Sequence, residues 1–265
     1  MNWKFLWRGT ALALGAIGLG LLGLYLVLPR IFPAVPCGPT PPPPTIVADQ
    51  GPQPESWPGL EAWARYSGEQ PALAGSAFLF SLGDGVVVAA TAAHSFNLES
   101  GLEAIHLSLP GEPVPLVELQ TVHGEPGRPR IFGANLTGDY LLLQIERQFP
   151  SEIVLMPDER GAPQPGERVV LYPGVGESAM EQQPLYGTIL SVDHRGAWAV
   201  MDLVFEPAQM SGSPIFSSHT GRVVGMALAA GQREGHTVIG MHPIGSLLEK
   251  ALAAREFPAL SDFAR

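Results

Sequence analysis

The feature that most constrains the fold of this chain is a succession of short apolar runs after residue 60. Each run is rich in Val, Leu or Ile and is bounded by Gly, Pro, Asp or Asn. In chain order they are SAFLFSL, GVVVAAT, IHLSLP, PLVELQTV, DYLLLQI, RVVLY, GTILSV, AWAVMDLVF, RVVGMALA and TVIGM. Short β-prone segments separated by turn residues are typical of an all-β sandwich or barrel. The 31 glycines and 27 prolines among 265 residues also disfavour a helical bundle.

Two segments of this region do not follow the strand pattern. LEAWARY, which begins at Leu60, is predicted to form one short helix. GSLLEKALAAREF, near the C-terminus, spaces its apolar residues as a helix does, so a C-terminal helix is predicted there.

The N-terminal part of the chain has the composition of a membrane anchor. Residues 10–28 form an uncharged apolar run of 19 residues. A helix of that length is about 28 Å long, close to the thickness of the bilayer hydrocarbon. Lys4 and Arg8 precede the run, which favours a cytoplasmic N-terminus. We therefore expect residues 1–29 to be a cytoplasmic stub and a single-pass anchor in the cell membrane, with the rest on the periplasmic or extracellular side.

A cleavable signal peptide is the alternative interpretation of this segment. It requires a shorter apolar region followed by a site of the A-x-A kind. The sequence after Leu28 is PRIFPAVPCGP, which is a poor cleavage site. The uncleaved anchor is therefore preferred.

Residues 30–58 are dense in proline, which favours an extended linker. The folded domain is expected at 59–265. Cys37, the only cysteine, lies in the linker, so the domain should contain no internal disulfide. The formal net charge of −10 disfavours nonspecific binding to nucleic acid. The histidines show no metal-ligand spacing with carboxylates or cysteine, so neither a metal nor another cofactor is expected.

Three segments carry residues suited to nucleophilic catalysis. His94 ends the run AATAAH, Asp139 precedes YLLLQI, and Ser211 lies in QMSGSPIF. Serine attack on an amide needs a base of near-neutral pKa, which selects His. That His needs a carboxylate on its other ring nitrogen, and the developing oxyanion needs backbone N–H donors. Each residue alone could equally be an ordinary turn or loop residue. The prediction of a catalytic site therefore depends on the three occurring together.

These segments resemble the boxes of the trypsin-like, chymotrypsin-fold serine proteases. The order His, Asp, Ser is that of the chymotrypsin type and differs from the orders in subtilisins and α/β-hydrolases. GERVV at 166–170 and the closing HPIGSLLEKAL resemble the bacterial high-temperature-requirement proteases. Since the sequence ends soon after the predicted helix, no PDZ module is expected.

The resemblance implies two six-stranded Greek-key β-barrels followed by the C-terminal helix. It also implies a serine endopeptidase acting on proteins or peptides, with His94, Asp139 and Ser211 as its triad. The oligomeric state is left open.

Gln209 departs from the family pattern. The family has Gly two residues before the nucleophile, where a backbone N–H forms half of the oxyanion hole, and Ser211 supplies the other half. A side chain at a position that needs positive φ costs energy or turns the peptide away. The alternative function is therefore a catalytically weak or inactive domain that binds peptides or a partner protein.

The substrate-binding residues implied by the resemblance are Leu228, Ala229 and Ala230, on a strand beside the primary pocket, and His236 on its wall. Phe205 falls at the pocket base when counted back from Ser211. Such a pocket offers no charge partner, which predicts cleavage after small or medium apolar residues. A shift of the count by a residue or two would bring Glu206 into the pocket and favour Lys or Arg instead.

Overall fold

The computed structural model describes residues 51–112, 114–129, 135–147, 149–175 and 182–265. The expected anchor and most of the expected linker lie outside these ranges. Within them, no helix combines the length and the apolar character that crossing a bilayer requires.

The first half of the described chain forms a seven-stranded sheet. Six strands follow the order β5-β4-β1-β2-β3-β6, and β7 pairs in parallel with β2. The strands are β1 (Leu60–Tyr66), β2 (Ala72–Gly83), β3 (Val86–Thr91), β4 (Leu102–Ser108), β5 (Val117–Leu119), β6 (Leu141–Gln144) and β7 (Val154–Leu155).

The second half forms a closed barrel of six antiparallel strands in the order β10-β13-β12-β11-β8-β9. The strands are β8 (Arg168–Leu171), β9 (Leu185–Asp193), β10 (Gly196–Met201), β11 (Pro214–Ser217), β12 (Val223–Arg233) and β13 (His236–Pro243). Helix α1 (Ile244–Ala253) follows directly, so the predicted C-terminal helix is present.

The two halves repeat one strand order. Numbered within its own half, the first sheet reads 5-4-1-2-3-6 and the closed barrel reads 3-6-5-4-1-2, which is the same cyclic order, although the sequence shows no repeat. The first sheet differs from the expected closed barrel because β5 and β6 share no ladder. The chain beyond β5 joins β6 through two hydrogen bonds instead, Gln144 N–H to Thr121 O at 2.9 Å and His123 N–H to Leu142 O at 2.8 Å.

The helix predicted for LEAWARY is wrong, because this segment is strand β1. Its small apolar residues alternate, and Leu60, Ala62 and Ala64 are all buried. β1 pairs with β2 on one side and β4 on the other. Pairing on both edges and burial of the alternate face outweigh the helix propensity of Leu, Glu, Ala and Arg.

Strand β2 shows how the two halves pack together. Its run SAFLFSL is apolar without alternation because both of its faces are buried. Ala77 and Leu79 belong to the interior of the first sheet. Phe78 and Phe80 belong to a second layer shared with residues of the closed barrel and of α1. Each fully buried aromatic or aliphatic side chain of this kind stabilises the fold by about 1.5–3 kcal/mol.

The last residues of the expected linker contact the folded domain. The Trp57 indole N–H donates to Pro173 O at 2.8 Å, and its ring meets Tyr172 edge-on at 5.3 Å. Gln53 accepts a hydrogen bond from the Tyr172 hydroxyl at 2.7 Å. The chain is therefore attached to the domain before β1 begins.

Candidate active site

His94 lies in a single 3₁₀ turn, Ala93–Ser95, just after β3. The turn is fixed on both sides because Ala93 and Phe96 are buried in the interior of the first sheet. The His94 side chain keeps 40% of its surface exposed. The strand thus places a half-exposed imidazole at the edge of a rigid element.

Asp139 follows another 3₁₀ turn, Leu136–Gly138. The Asn135 side chain caps this turn by accepting from Thr137 N–H at 3.2 Å, and Asp139 N–H donates to Leu136 O at 3.2 Å. Leu136 is buried and anchors the turn. The Asp139 side chain is 14% exposed, so its carboxylate is largely removed from water.

The structure brings the three predicted residues together. One carboxylate oxygen of Asp139 lies 2.6 Å from His94 Nδ1, and the other accepts from His94 N–H at 3.0 Å. His94 Nε2 lies 3.0 Å from Ser211 Oγ. The carboxylate therefore orients the ring twice, through the side chain and through the backbone. The remaining ring nitrogen faces the serine hydroxyl.

The loop that carries Ser211 is wedged against β2. Gly212 has φ +98°, and a Cβ there would lie 1.8 Å from Ser76 O. Ser76 N–H donates to Ser211 O at 2.9 Å, and Gly212 N–H donates to Ala227 O at 2.7 Å. Only glycine fits this position, because both the left-handed backbone and the close approach of β2 exclude a side chain.

Gln209 has a left-handed backbone conformation. Its φ is +62°, which costs a residue with a side chain about 1–2 kcal/mol relative to right-handed conformations. A peptide turned the other way would bring the Ala208 carbonyl to the Ser211 N–H. Within the described ranges no such bond forms, and the N–H groups of Gln209 and Ser211 donate to no other backbone carbonyl. Two donors two residues apart are thus left free beside the serine hydroxyl.

Strand β12 passes directly beside Ser211. Its pairing with β13 shifts register between Ala227 and Ala229, so Leu228 is the extra residue of a bulge. The Leu228 carbonyl lies 3.1 Å from Ser211 Oγ and accepts from it. Leu228 is buried, Ala229 is half-buried and Ala230 is exposed, so the strand emerges from the core at this point.

His236 is not brought to the triad. It is exposed at the start of β13, opposite Arg233 at the tip of the hairpin. His236 instead lies near Asp202. The pKa of Asp202 is lowered mainly by a hydrogen bond from Arg168 and slightly by the charge of His236.

Phe205 and Glu206 differ in their surroundings. Phe205 packs against the interior of the closed barrel, and its N–H donates to the buried Thr237 hydroxyl at 3.2 Å. Glu206 is exposed.

A buried histidine lies behind Asp139. His242 is fully buried, and its ring meets Tyr140 edge-on at 5.7 Å. Burial lowers the pKa of His242 to about 4, while the backbone and carboxylate of Asp139 oppose that shift weakly. Burial also raises the pKa of Tyr140. The ring at 242 is therefore neutral at pH 7.

No group of three His, Cys, Asp or Glu residues within the described ranges is arranged to hold a metal ion. What the site contains is a nucleophile, a base, an orienting carboxylate and two free backbone donors. That set suits acyl transfer through a serine ester.

Comparisons with solved structures identify the architecture. A thermostable serine protease, AL20, from an extremophilic microorganism matches with TM-score 0.51 and 11% identity, over 75% of this chain and 97% of that chain. Catalytically active tobacco etch virus protease complexed with product matches with TM-score 0.51 and 15% identity, over 80% and 86%. Human heparin binding protein matches with TM-score 0.52 and 15% identity, over 77% and 94%.

The chain therefore has the chymotrypsin fold, as the sequence resemblance indicated. At 11–15% sequence identity, these structural similarities establish the fold alone. No protein-family model matches the chain, and no curated protein is recognisably similar in sequence.

Sequence reasoning missed Ser76 entirely. It begins the run SAFLFSL, and nothing in the local pattern marks it as different from other strand residues. Its hydrogen bonds to Gln209 and Ser211 join residues more than 130 positions apart in the chain. Only the pairing of the two halves reveals them.

Proposed function

We propose that this protein is a serine endopeptidase that cleaves peptide bonds with His94, Asp139 and Ser211. The observation that carries the proposal is the position of the His94 ring, 2.6 Å from Asp139 and 3.0 Å from Ser211 Oγ. The chymotrypsin fold supports a peptidase and a protein or peptide substrate.

The chemistry follows from this geometry. His94 Nε2 takes the Ser211 hydroxyl proton as Oγ attacks the substrate carbonyl carbon. Asp139 keeps the Nδ1 proton on the ring and stabilises the imidazolium that forms. The N–H groups of Gln209 and Ser211 would bind the oxyanion. His94 then gives its proton to the leaving amine, and water releases the acyl group by the same steps in reverse.

A fluorophosphonate probe tests the proposal directly, because it reacts only with an activated serine. Wild type should be labelled, and Ser211→Ala should not. Ser213→Ala is the matched control, since that hydroxyl belongs to the same motif but accepts from Gly174 N–H at 3.1 Å. If wild type stays unlabelled while a known serine protease reacts, the peptide- or partner-binding alternative is favoured.

We extend the proposal to cleavage after small or medium apolar residues. Support comes from Phe205, which packs inward while Glu206 points to solvent. A pocket without a carboxylate cannot offset the desolvation of Lys or Arg. Profiling a peptide library by mass spectrometry should show Ala, Val or Leu before the cut. A dominant Lys or Arg signature would overturn the placement of the pocket.

We also propose that the protein is held in the cell membrane by residues 10–28, with the protease domain on the periplasmic or extracellular face. The support is the uncharged run and the two basic residues before it. A reporter fused after Arg265 should behave as exported. Cytoplasmic activity of the reporter would contradict this topology.

A further inference from the structure

The side chain of Gln209 lies in solvent beside the nucleophile. Residue 209 is exposed and has φ +62°, a conformation that glycine adopts freely and a residue with a side chain does not. Its main-chain carbonyl accepts from Ser76 Oγ, but its carboxamide forms no hydrogen bond with any residue of the described ranges. Residues held in unfavourable backbone conformations cluster at active sites and ligand clamps, so the strained glutamine indicates a functional role for its side chain.

The peptide between Ser211 and Gly212 shows which strands lie on each side of the nucleophile loop. Its carbonyl accepts from Ser76 N–H on β2 at 2.9 Å, and its N–H donates to Ala227 O on β12 at 2.7 Å. The carbonyl and the N–H of a trans peptide point in opposite directions, so β2 and β12 lie on opposite sides of the loop. The Gln209 carbonyl also binds Ser76, which places residue 209 on the β2 side.

The catalytic base lies on the β2 side as well. A Cβ built at Gly75 of β2 would lie 3.0 Å from Ser211 O and 3.1 Å from Ser95 Oγ. Strand β2 therefore runs between the nucleophile loop and the turn that carries His94. The part of the substrate that follows the cleaved bond, here called the leaving segment, receives its proton from His94 Nε2 and has to lie near it. The leaving segment is thus on the same side of the nucleophile as Gln209.

We propose that the Gln209 carboxamide binds the main chain of the leaving segment and so favours peptides that continue beyond the cleaved bond. A carboxamide carries donors and an acceptor, which match the N–H and C=O groups of a peptide main chain. An extended residue spans about 3.3–3.6 Å, so a glutamine side chain is long enough to reach the first or second residue after the bond. The inference rests on the proposed protease function, because it assigns a substrate contact within that site.

Steady-state kinetics on two matched substrates test the proposal. Both begin with Ala-Ala-Leu; one continues with Ala-Ala-Ala, and the other ends in p-nitroanilide, so that it has no leaving segment of amino acids. Gln209→Met keeps a side chain of similar length but removes the carboxamide. It should lower kcat/KM for cleavage after Leu about three- to tenfold in the extended peptide, which is the effect of a neutral hydrogen bond. The value for the anilide should stay within about twofold of wild type.

Unchanged kinetics on the extended peptide would overturn the proposal. Equal losses on the two substrates would overturn it as well, because the substitution would then have disturbed the oxyanion site and not a contact with the leaving segment. Gln232→Met is the matched control, since Gln232 is an exposed glutamine on the hairpin between β12 and β13. This control should leave the ratio of the two kcat/KM values unchanged.

Binding to an inactive protein separates this inference from the proposed function. In the Ser211→Ala background, fluorescence anisotropy of labelled Ala-Ala-Leu-Ala-Ala-Ala measures affinity without cleavage. Adding Gln209→Met should weaken binding of this peptide about three- to tenfold and leave binding of labelled Ala-Ala-Leu amide unchanged. If wild type cleaves neither substrate, the protease function fails, but this difference still supports the contact. Equal affinities for the long peptide with and without the carboxamide contradict the contact whatever the activity.

Discussion

At the scale of single residues, His94 connects the other two members of the site. Its Nδ1 faces Asp139 and its Nε2 faces Ser211. Without His94 or Ser211, no proton transfer from the serine hydroxyl to the ring can take place. His94→Ala and Ser211→Ala should each lower kcat by about 10⁴ or more without unfolding the domain. The double variant should be little worse than either single one.

Circular dichroism should show that these variants keep the wild-type fold. Steady-state assays with a peptide substrate should give their kcat values. Losses that multiply in the double variant would mean that the two residues act independently. That result would argue against a shared triad.

At the scale of elements, the nucleophile loop depends on its fit against β2. Gly212→Ala should destabilise the protein by at least about 2 kcal/mol and abolish activity, because the new Cβ would meet Ser76 O and the residue must keep φ at +98°. Gly231→Ala, on β12, is the matched control, since a Cβ there meets nothing within 4 Å. It should stay within about 0.5 kcal/mol of wild type.

Chemical denaturation followed by tryptophan fluorescence measures both variants. Equal stability of Gly212→Ala and Gly231→Ala would show that the loop can move away from β2. The described packing would then be wrong at this contact.

The elements also show how far the sequence could be interpreted. SAFLFSL and GVVVAAT were predictable as strands because buried aliphatic runs between glycines have few other structures available. LEAWARY was misjudged because its residues favour helix locally, and only pairing with β2 and β4 makes it a strand.

Contacts between distant segments could not be predicted either, because they also depend on the tertiary structure and not on the local sequence. Nothing near Ser76 in the sequence indicates a contact with Gln209. The strand order that repeats in the two halves is equally hidden, because similar backbones here carry dissimilar side chains.

At the scale of the whole molecule, a buried neutral histidine links stability to pH. The pKa of His242 is lowered from its ordinary value of 6.5 to about 4 by burial. Between these two values the unfolded chain binds a proton at this residue and the folded chain does not, so its contribution to stability is complete above pH 6.5 and is lost as the pH falls towards 4. The lost contribution is up to about 3 kcal/mol.

Unfolding free energies of wild type and His242→Phe, measured from pH 7 to pH 4, check this expectation. Wild type should lose more stability over that range than the variant, because phenylalanine keeps the packing on Tyr140 and binds no proton. His219→Gln replaces an exposed histidine and should follow wild type. Parallel curves for wild type and His242→Phe would show that the ring is not kept neutral by the fold.

The division of the site between two halves has a consequence for the life of the newly made chain. Residues 94 and 139 leave the ribosome well before residue 211, and the strands that hold the serine loop, β11 and β12, come later still. The first sheet is also completed by the end of the chain, because Leu260 is buried in its interior and Val122 N–H donates to Pro258 O at 2.9 Å. The proposed hydrolytic activity therefore requires synthesis of the second barrel and of the C-terminal residues that complete the first sheet.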